Sequence, residues 1–172
     1  MLLKQIYNVP FLIIFMILFL FSACQEQKKK VNIEPVVKSY VEAWNTGDVE
    51  KLDSIVTQNF ELRIIPTFKP VIGIDSLKKE IIATRTMFPD FTVNIESTTI
   101  EGDSVLLGTW TIEGTYSWNA DKTTKSEKMS VPGFSVIFFS GEKITGEWIA
   151  YSDLTLMKQL GFTLVEPKES KK

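Results

Sequence analysis

The chain has 172 residues, of which 19 are basic and 21 acidic, giving a formal net charge of −2, and it contains no histidine and a single cysteine, Cys24. Without histidine, serine–histidine–aspartate catalysis, cysteine–histidine catalysis and imidazole-ligated metal sites are excluded. A mildly acidic protein without a basic face is a poor candidate for nucleic acid binding. Any acid–base chemistry must therefore use Asp, Glu, Tyr or Lys.

The N-terminus carries the pattern of an export signal. Lys4 precedes eleven apolar residues at 11–21, and the small residues Ser22 and Ala23 stand directly before Cys24. As a helix the apolar run would rise about 16 Å, against a hydrocarbon thickness of about 30 Å. The pattern resembles the lipobox of bacterial lipoproteins, which implies cleavage after Ala23 and acylation of Cys24. An uncleaved membrane anchor is the alternative.

The lipoprotein interpretation sets the expected compartment and the domain boundaries. Removing residues 1–23 takes away one Lys and no acid, so 18 basic and 21 acidic residues leave a net charge of −3. With Cys24 acylated, no thiol remains for a disulfide, a zinc site or a nucleophile. We expect a bacterial cell-envelope protein whose partner is the lipid membrane. A tether at 24–31 would lead to one domain at 32–165 and a disordered tail at 166–172.

The first part of this domain shows helical periodicity. Apolar residues recur at helical spacing over 36–44 and again over 49–56, with Gly47 suited to end the first helix. A strand is predicted at 60–65. A third helix is predicted over 75–88, where it ends before a proline.

The period changes after that proline, because apolar and polar residues begin to alternate. The alternation predicts strands over 91–95, 108–118, 128–139 and 143–151. Gly102 and Gly141 mark hairpin turns between them. Helices followed by a strand meander predict an α+β domain, in which N-terminal helices pack on one face of a strongly curved antiparallel sheet.

Four sequence segments resemble one known family. They lie, in the family's order, at 40–48, 73–77, 87–91 and 147–161. Together they resemble the SnoaL-like polyketide cyclase (ester cyclase) family, within the nuclear-transport-factor-2-like superfold. The resemblance spans residues 32–162 and implies a cone-shaped domain. It is less specific for function, because one fold carries many activities.

A cone of this kind commonly encloses a site for a small molecule, and the strand residues expected to face inward are unusually aromatic. Packing in a solid core is the alternative use of such aromatic residues. The expected ligand is small and apolar or aromatic, and no cofactor or metal is implied. The candidate ligand-binding residues are Tyr40, Trp110, Tyr116, Trp118, Phe134, Trp148 and Ser152.

The catalytic residue of the family is displaced in this sequence. Family cyclases use an Asp near the end of the last strand as general acid/base, commonly four residues after the strand's Trp. Here Ser152 stands four residues after Trp148, and the aspartate follows at Asp153. A one-residue offset turns a strand side chain to the opposite face. Asp153 is therefore either a catalyst rotated inward by a bulge or an early helix start, or the cap of a short closing helix predicted over 154–160. Glu147, beside Trp148, is expected to point outward.

Three hypotheses follow, and whether the protein is an enzyme stays open. The first is a lipid-anchored module that binds a small apolar molecule without catalysis. The second is a cofactor-independent enzyme of the ester-cyclase or isomerase type that uses Asp153, alone or together with Tyr40. The third is a dimerisation or interaction module that uses the outward face of the sheet.

Overall fold

The computed structural model describes residues 32–65, 69–117 and 128–165. The helices are α1 (Glu34–Thr46), α2 (Leu52–Ile55), α3 (Ile74–Met87) and α4 (Asp153–Gln159), and a short 3₁₀ turn, Val49–Lys51, precedes α2. The strands are β1 (Val56–Ile65), β2 (Val71–Ile72), β3 (Thr92–Glu101), β4 (Val105–Thr115), β5 (Lys128–Ser140) and β6 (Lys143–Tyr151). Cys24, Trp118, the signal, the tether residues 24–31 and the tail 166–172 lie outside the described residues.

The six strands form one sheet in the order β2-β1-β6-β5-β4-β3. Strand β1 runs parallel to β6, and every other neighbouring pair is antiparallel. The helices pack on one face of this sheet, which confirms the predicted α+β class. None of the helices in the described ranges is long and apolar enough to cross a membrane.

Local sequence signals place most element boundaries correctly. Gly47 ends α1 with a φ of 79°, and its amide donates to the Ala43 carbonyl at 2.9 Å. The structure also differs from the predicted bounds, because β2 was not predicted and β3 continues to Glu101 rather than ending at Ile95. The second helix ends at Ile55 rather than continuing to Val56. Val56 is already extended, with φ −117° and ψ 147°, because this β-branched residue begins β1. The strand predicted at 60–65 therefore starts four residues earlier.

Two clusters of buried apolar side chains form the core. The larger lies between α1, α2, α3 and the sheet, and the smaller is built on Phe88, Phe91, Met129 and Val131. Among the described residues, the members of both clusters lie between Ile33 and Leu160. Residues 31–172 form a compact unit, and this unit has its own core, as an independently folding domain requires.

A β-bulge in β6 sets which side chains face this core. In the pairing of β5 with β6, Phe139 lies opposite Ile144, but Phe138 lies opposite Gly146. The extra residue, Thr145, shifts the alternation by one position. Ile144 and Glu147 are consequently both buried, although an unbroken strand would turn them to opposite faces.

Candidate functional site

A cavity of about 360 Å³ lies between the sheet and the helices α1, α3 and α4. This volume falls within the range that small-molecule sites occupy, about 300–1,000 Å³. Its wall is mostly apolar and includes the aromatic residues Trp44, Phe88 and Phe91. Glu80 and Glu147 are the charged residues of the described chain that line it, and no described Lys or Arg does.

The most buried polar contact of the cavity joins its first helix to its last strand. The Tyr40 hydroxyl donates to Glu147 Oε2 at 2.7 Å. Tyr40 is 2% exposed and Glu147 is 5% exposed. Tyr40 lies on the apolar face of α1, and the bulge in β6 turns Glu147 toward it. The structure thus places a carboxyl group against an apolar ligand-sized space.

A second chain of hydrogen bonds reaches the same carboxyl group. Trp110 Nε1 donates to Ser135 Oγ at 2.8 Å, and the Ser135 side chain also forms a hydrogen bond with Glu147. Because an indole N–H can only donate, the Ser135 oxygen is its acceptor and the serine proton is free for the carboxylate. Among the described residues, no buried side-chain polar atom lacks a partner.

Burial controls the protonation of both members of the Tyr40–Glu147 pair. Burial raises the pKa of Glu147 above its usual value, while the hydrogen bonds from Ser135 and Tyr40 oppose this rise. Burial also raises the pKa of Tyr40 well above its usual value, and the nearby charge of Glu147 raises it further. A carboxyl group whose pKa is raised is a stronger base when ionised, which favours proton transfer to it.

Three of the predicted ligand-binding residues line the cavity: Tyr40, Trp110 and Tyr116. The Tyr116 ring packs against Phe88, with 5.3 Å between the ring centroids. Trp110 lies across Gly133 of the neighbouring strand, where a Cβ atom would overlap the indole and approach the Ala150 carbonyl oxygen to 2.8 Å. Their contact with a ligand stays a prediction.

The expectation that Phe134 and Trp148 point into the cone is wrong. Both lie on the outer face, the side of the sheet opposite the cavity, where they are 48% and 46% exposed. Trp148 packs there against Phe138, with 5.4 Å between the ring centroids. The bulge at Thr145 reverses the expected alternation of β6, so the outward position predicted for Glu147 is wrong for the same reason.

Ser152 and Asp153 lie at the start of α4, and neither lines the cavity. Ser152 is the cap: its Oγ accepts from the Thr155 amide at 3.2 Å and from the Thr155 hydroxyl at 2.8 Å. Asp153 is the first residue of the helix and is exposed. The structure therefore does not bring Asp153 to a catalytic position, and the capping role predicted for it belongs to Ser152.

The model of the SnoaL-like polyketide cyclase family matches residues 34–160. The chain belongs to this family. A solved structure of a candidate polyketide cyclase from Bacillus cereus ATCC 10987 is 26% identical, with a TM-score of 0.60 over 73% of this chain and 78% of that one. No curated protein matches the chain.

Two more distant structures show the same fold. A protein from Catenulispora acidiphila with a ketosteroid isomerase-like fold, solved with trimethylamine, is 17% identical, with a TM-score of 0.64 over 77% of this chain and 96% of that one. A phenazine biosynthesis-related protein from Pseudomonas aeruginosa is 12% identical, with a TM-score of 0.61 over 82% and 99%. Likeness at this level establishes the SnoaL-like fold.

One signal in this SnoaL-like sequence points to Glu147, which sequence reasoning placed outside. Gly146 interrupts an otherwise regular strand, and a Cβ atom there would lie 2.9 Å from the Glu61 carbonyl oxygen. A glycine inside a strand often marks a bulge or a close backbone approach.

Within the described ranges, no group of three or more His, Cys, Asp or Glu residues could hold a metal ion. The chemistry that the site offers is proton transfer by a buried carboxyl group.

Proposed function

We propose that this protein is a cofactor-independent acid–base catalyst that binds a small, mainly apolar carbonyl compound in the cavity. The observation that carries the proposal is the Glu147 carboxyl group, buried against Tyr40 at 2.7 Å on the wall of an apolar cavity. Its family, which includes cyclases and small-molecule binders, supports a small-molecule site. Glu147 takes the role that the sequence alone suggested for Asp153.

The proposed step is proton transfer at a carbon atom next to a carbonyl group. The Glu147 carboxylate accepts the proton, the electrons of the broken C–H bond form an enolate, and the same carboxyl group returns a proton to carbon. No electrons leave the substrate, so no redox partner is needed. Tyr40 and Ser135 orient the carboxyl group, and their hydrogen bonds limit how far burial raises its pKa.

The second candidate is a binding module without catalysis. It is favoured by the fact that Glu147 already has hydrogen-bond partners in Tyr40 and Ser135, as a structural buried carboxyl group would. Both candidates bind a small molecule in the same cavity. They differ in whether the Glu147 proton exchanges with that molecule.

Deuterium exchange separates the two. 1-Phenylpropan-2-one and 2-tetralone are incubated with the protein in buffered D₂O, and loss of the α-proton signals is followed by NMR. We expect Glu147→Gln to lower the catalysed rate by about 100-fold or more, the usual contribution of a general base. Asp153→Asn, which alters an exposed carboxylate outside the cavity, is the matched control and should keep the rate.

Two other results of this experiment would contradict the proposal. If both ketones bind but neither exchanges faster than in buffer, the binding module is the better description. If exchange is catalysed and Glu147→Gln retains it, another group is the base and the proposed role of Glu147 is wrong.

We also propose that acylated Cys24 anchors the domain to a bacterial envelope membrane. The support is the order of Lys4, the apolar run at 11–21 and the small residues before the cysteine. An anchored cone would meet apolar molecules that partition into the adjacent bilayer.

A further inference from the structure

Given the proposed function, we infer that the molecule bound in the cavity carries a protonated amine, which Glu80 holds near the opening while the apolar part extends toward Glu147. The charged residues that line the described cavity are both acidic, Glu80 and Glu147. Neither has a basic partner in the described chain. A cavity of this charge disfavours carboxylates and phosphates and favours cations.

Of the two cavity carboxylates, Glu80 is the one without a hydrogen-bond partner among the described residues. It lies on α3, is partly buried, and makes no hydrogen bond or ion pair with any described residue. The nearby Lys78 forms its ion pairs with other carboxylates, because its Nζ atom lies 3.0 Å from Asp53 Oδ2 and 3.5 Å from Glu50 Oε1. A partly desolvated carboxylate without a counter-ion is unfavourable, and a ligand cation would supply the missing partner.

A tyrosine ring lines the same cavity as the Glu80 carboxylate. Tyr151 lines the cavity from the end of β6. Burial raises the pKa of its phenol, and the negative charges of Asp153 and Glu80 raise it further. A carboxylate and an aromatic ring on the wall of one cavity suit an alkylammonium group, which can form an ion pair with the first and a cation–π contact with the second.

The two cavity carboxylates have different surroundings, which supports two different roles. Glu147 is 5% exposed and holds two hydrogen bonds, whereas Glu80 is closer to solvent and holds none with a described residue. An ammonium group therefore meets Glu80 at a lower desolvation cost than Glu147. The expected ligand class is a small, mainly apolar carbonyl compound that also carries an alkyl or arylalkyl amine, positively charged at neutral pH.

Three probes of nearly the same shape test this class. They are N,N-dimethyl-2-phenylethylamine, its uncharged carbon isostere 3-methylbutylbenzene, and the anion 3-phenylpropanoate. Binding to residues 31–172, the compact unit that contains the described core, is measured by tryptophan fluorescence, because Trp44 and Trp110 both line the cavity. Cooperative thermal unfolding of each variant shows that it is folded.

We expect the amine to bind about tenfold more tightly than the hydrocarbon, with the anion weakest. Glu80→Gln should remove the preference for the amine, while Glu142→Gln, which removes the same charge from an exposed turn, should keep it. Equal binding of amine and hydrocarbon, preference for the anion, or an unchanged preference in Glu80→Gln would overturn the inference. Absence of saturable amine binding by the folded protein would also overturn it.

The results of this binding test can be distinguished from those of the exchange test of the proposed catalysis. Glu147→Gln should keep the amine preference while losing α-proton exchange. If exchange depends on Glu147 but the protein shows no preference for the amine, the inference is refuted and the proposed catalysis stands. An amine preference that depends on Glu80, without exchange, refutes the proposed catalysis and leaves a binding site for amines.

Discussion

The Tyr40 hydroxyl donates to Glu147 Oε2 at 2.7 Å, and this bond joins residues that are 107 positions apart in the chain. Both side chains are buried in a region that is otherwise mostly apolar. A buried polar group is costly unless it is hydrogen-bonded, so each residue makes the position of the other tolerable. The same contact therefore bears on both the stability of the cone and the proposed chemistry.

We expect Tyr40→Phe to lower the free energy of unfolding by about 1–3 kcal/mol, because it leaves a buried carboxyl group with one donor fewer. The pKa of Glu147 should rise further, since the Tyr40 hydrogen bond holds it down. Urea denaturation measures the first effect, and ¹³C NMR titration of the Glu147 carboxyl carbon measures the second. Tyr151→Phe, which changes a cavity phenol that makes no hydrogen bond to Glu147, is the control. An unchanged Glu147 titration in Tyr40→Phe would contradict this account.

A second prediction concerns the pH dependence of stability. The pKa of Glu147 is raised in the folded state, so between the unfolded value of about 4.3 and the folded value the native protein holds a proton that the unfolded chain has lost. The stabilisation that Glu147 contributes is therefore full below its pKa in the unfolded chain. It declines as the pH rises toward its pKa in the folded protein, by at most about 1.4 kcal/mol per pH unit.

The effect is isolated by subtracting the unfolding free energy of Glu147→Gln from that of the wild type at each pH. Surface carboxylates such as Asp90 act in the opposite direction, because hydrogen bonds from the Thr115 amide and hydroxyl lower the Asp90 pKa. Their contribution is common to both proteins and cancels. The difference should fall as pH rises above about 4.3. A difference that increases with pH would mean that Glu147 is stabilised as the anion.

A third prediction concerns the backbone beneath Trp110. A Cβ atom on Gly133 would overlap the indole and lie 2.8 Å from the Ala150 carbonyl oxygen. Gly133→Ala should therefore displace the indole toward the cavity, weaken its bond to Ser135, and cost about 1–3 kcal/mol. Gly108→Ala is the matched control in the neighbouring strand, because its Cβ would meet nothing closer than 3.5 Å. Equal stability and equal probe binding for the two variants would contradict the assigned packing.

Local signals in the sequence were sufficient for much of the fold. The apolar spacing of α1, its end at Gly47, and the turns at Gly102 and Gly141 each depend on a few neighbouring residues, and the structure shows all of them. The family resemblance supplied the arrangement of these elements. The α+β class followed from the order of helices and strands.

The site was harder to predict because it depends on contacts between distant parts of the chain. One extra residue at Thr145 exchanges the positions expected for Glu147 and Trp148, and periodicity alone does not locate such a bulge. The partner of Glu147 is Tyr40, which the sequence marked as a candidate ligand-binding residue but not as the partner of a buried carboxyl group. At the closing helix, a shift of one residue gives the cap to Ser152 rather than Asp153.

The last prediction tests the anchor. Cys24→Ser removes the thiol that acylation requires, so we expect loss of fatty-acid labelling and movement of the protein from the membrane fraction to the soluble fraction. Ser22→Ala, which keeps a small residue before the cysteine, is the control and should remain labelled and membrane-bound. A Cys24→Ser protein that loses the label but stays in the membrane would show that the apolar run at 11–21 remains uncleaved and anchors the chain directly. Because the described core lies within the compact unit of residues 31–172, the released domain should keep the thermal stability of the anchored one.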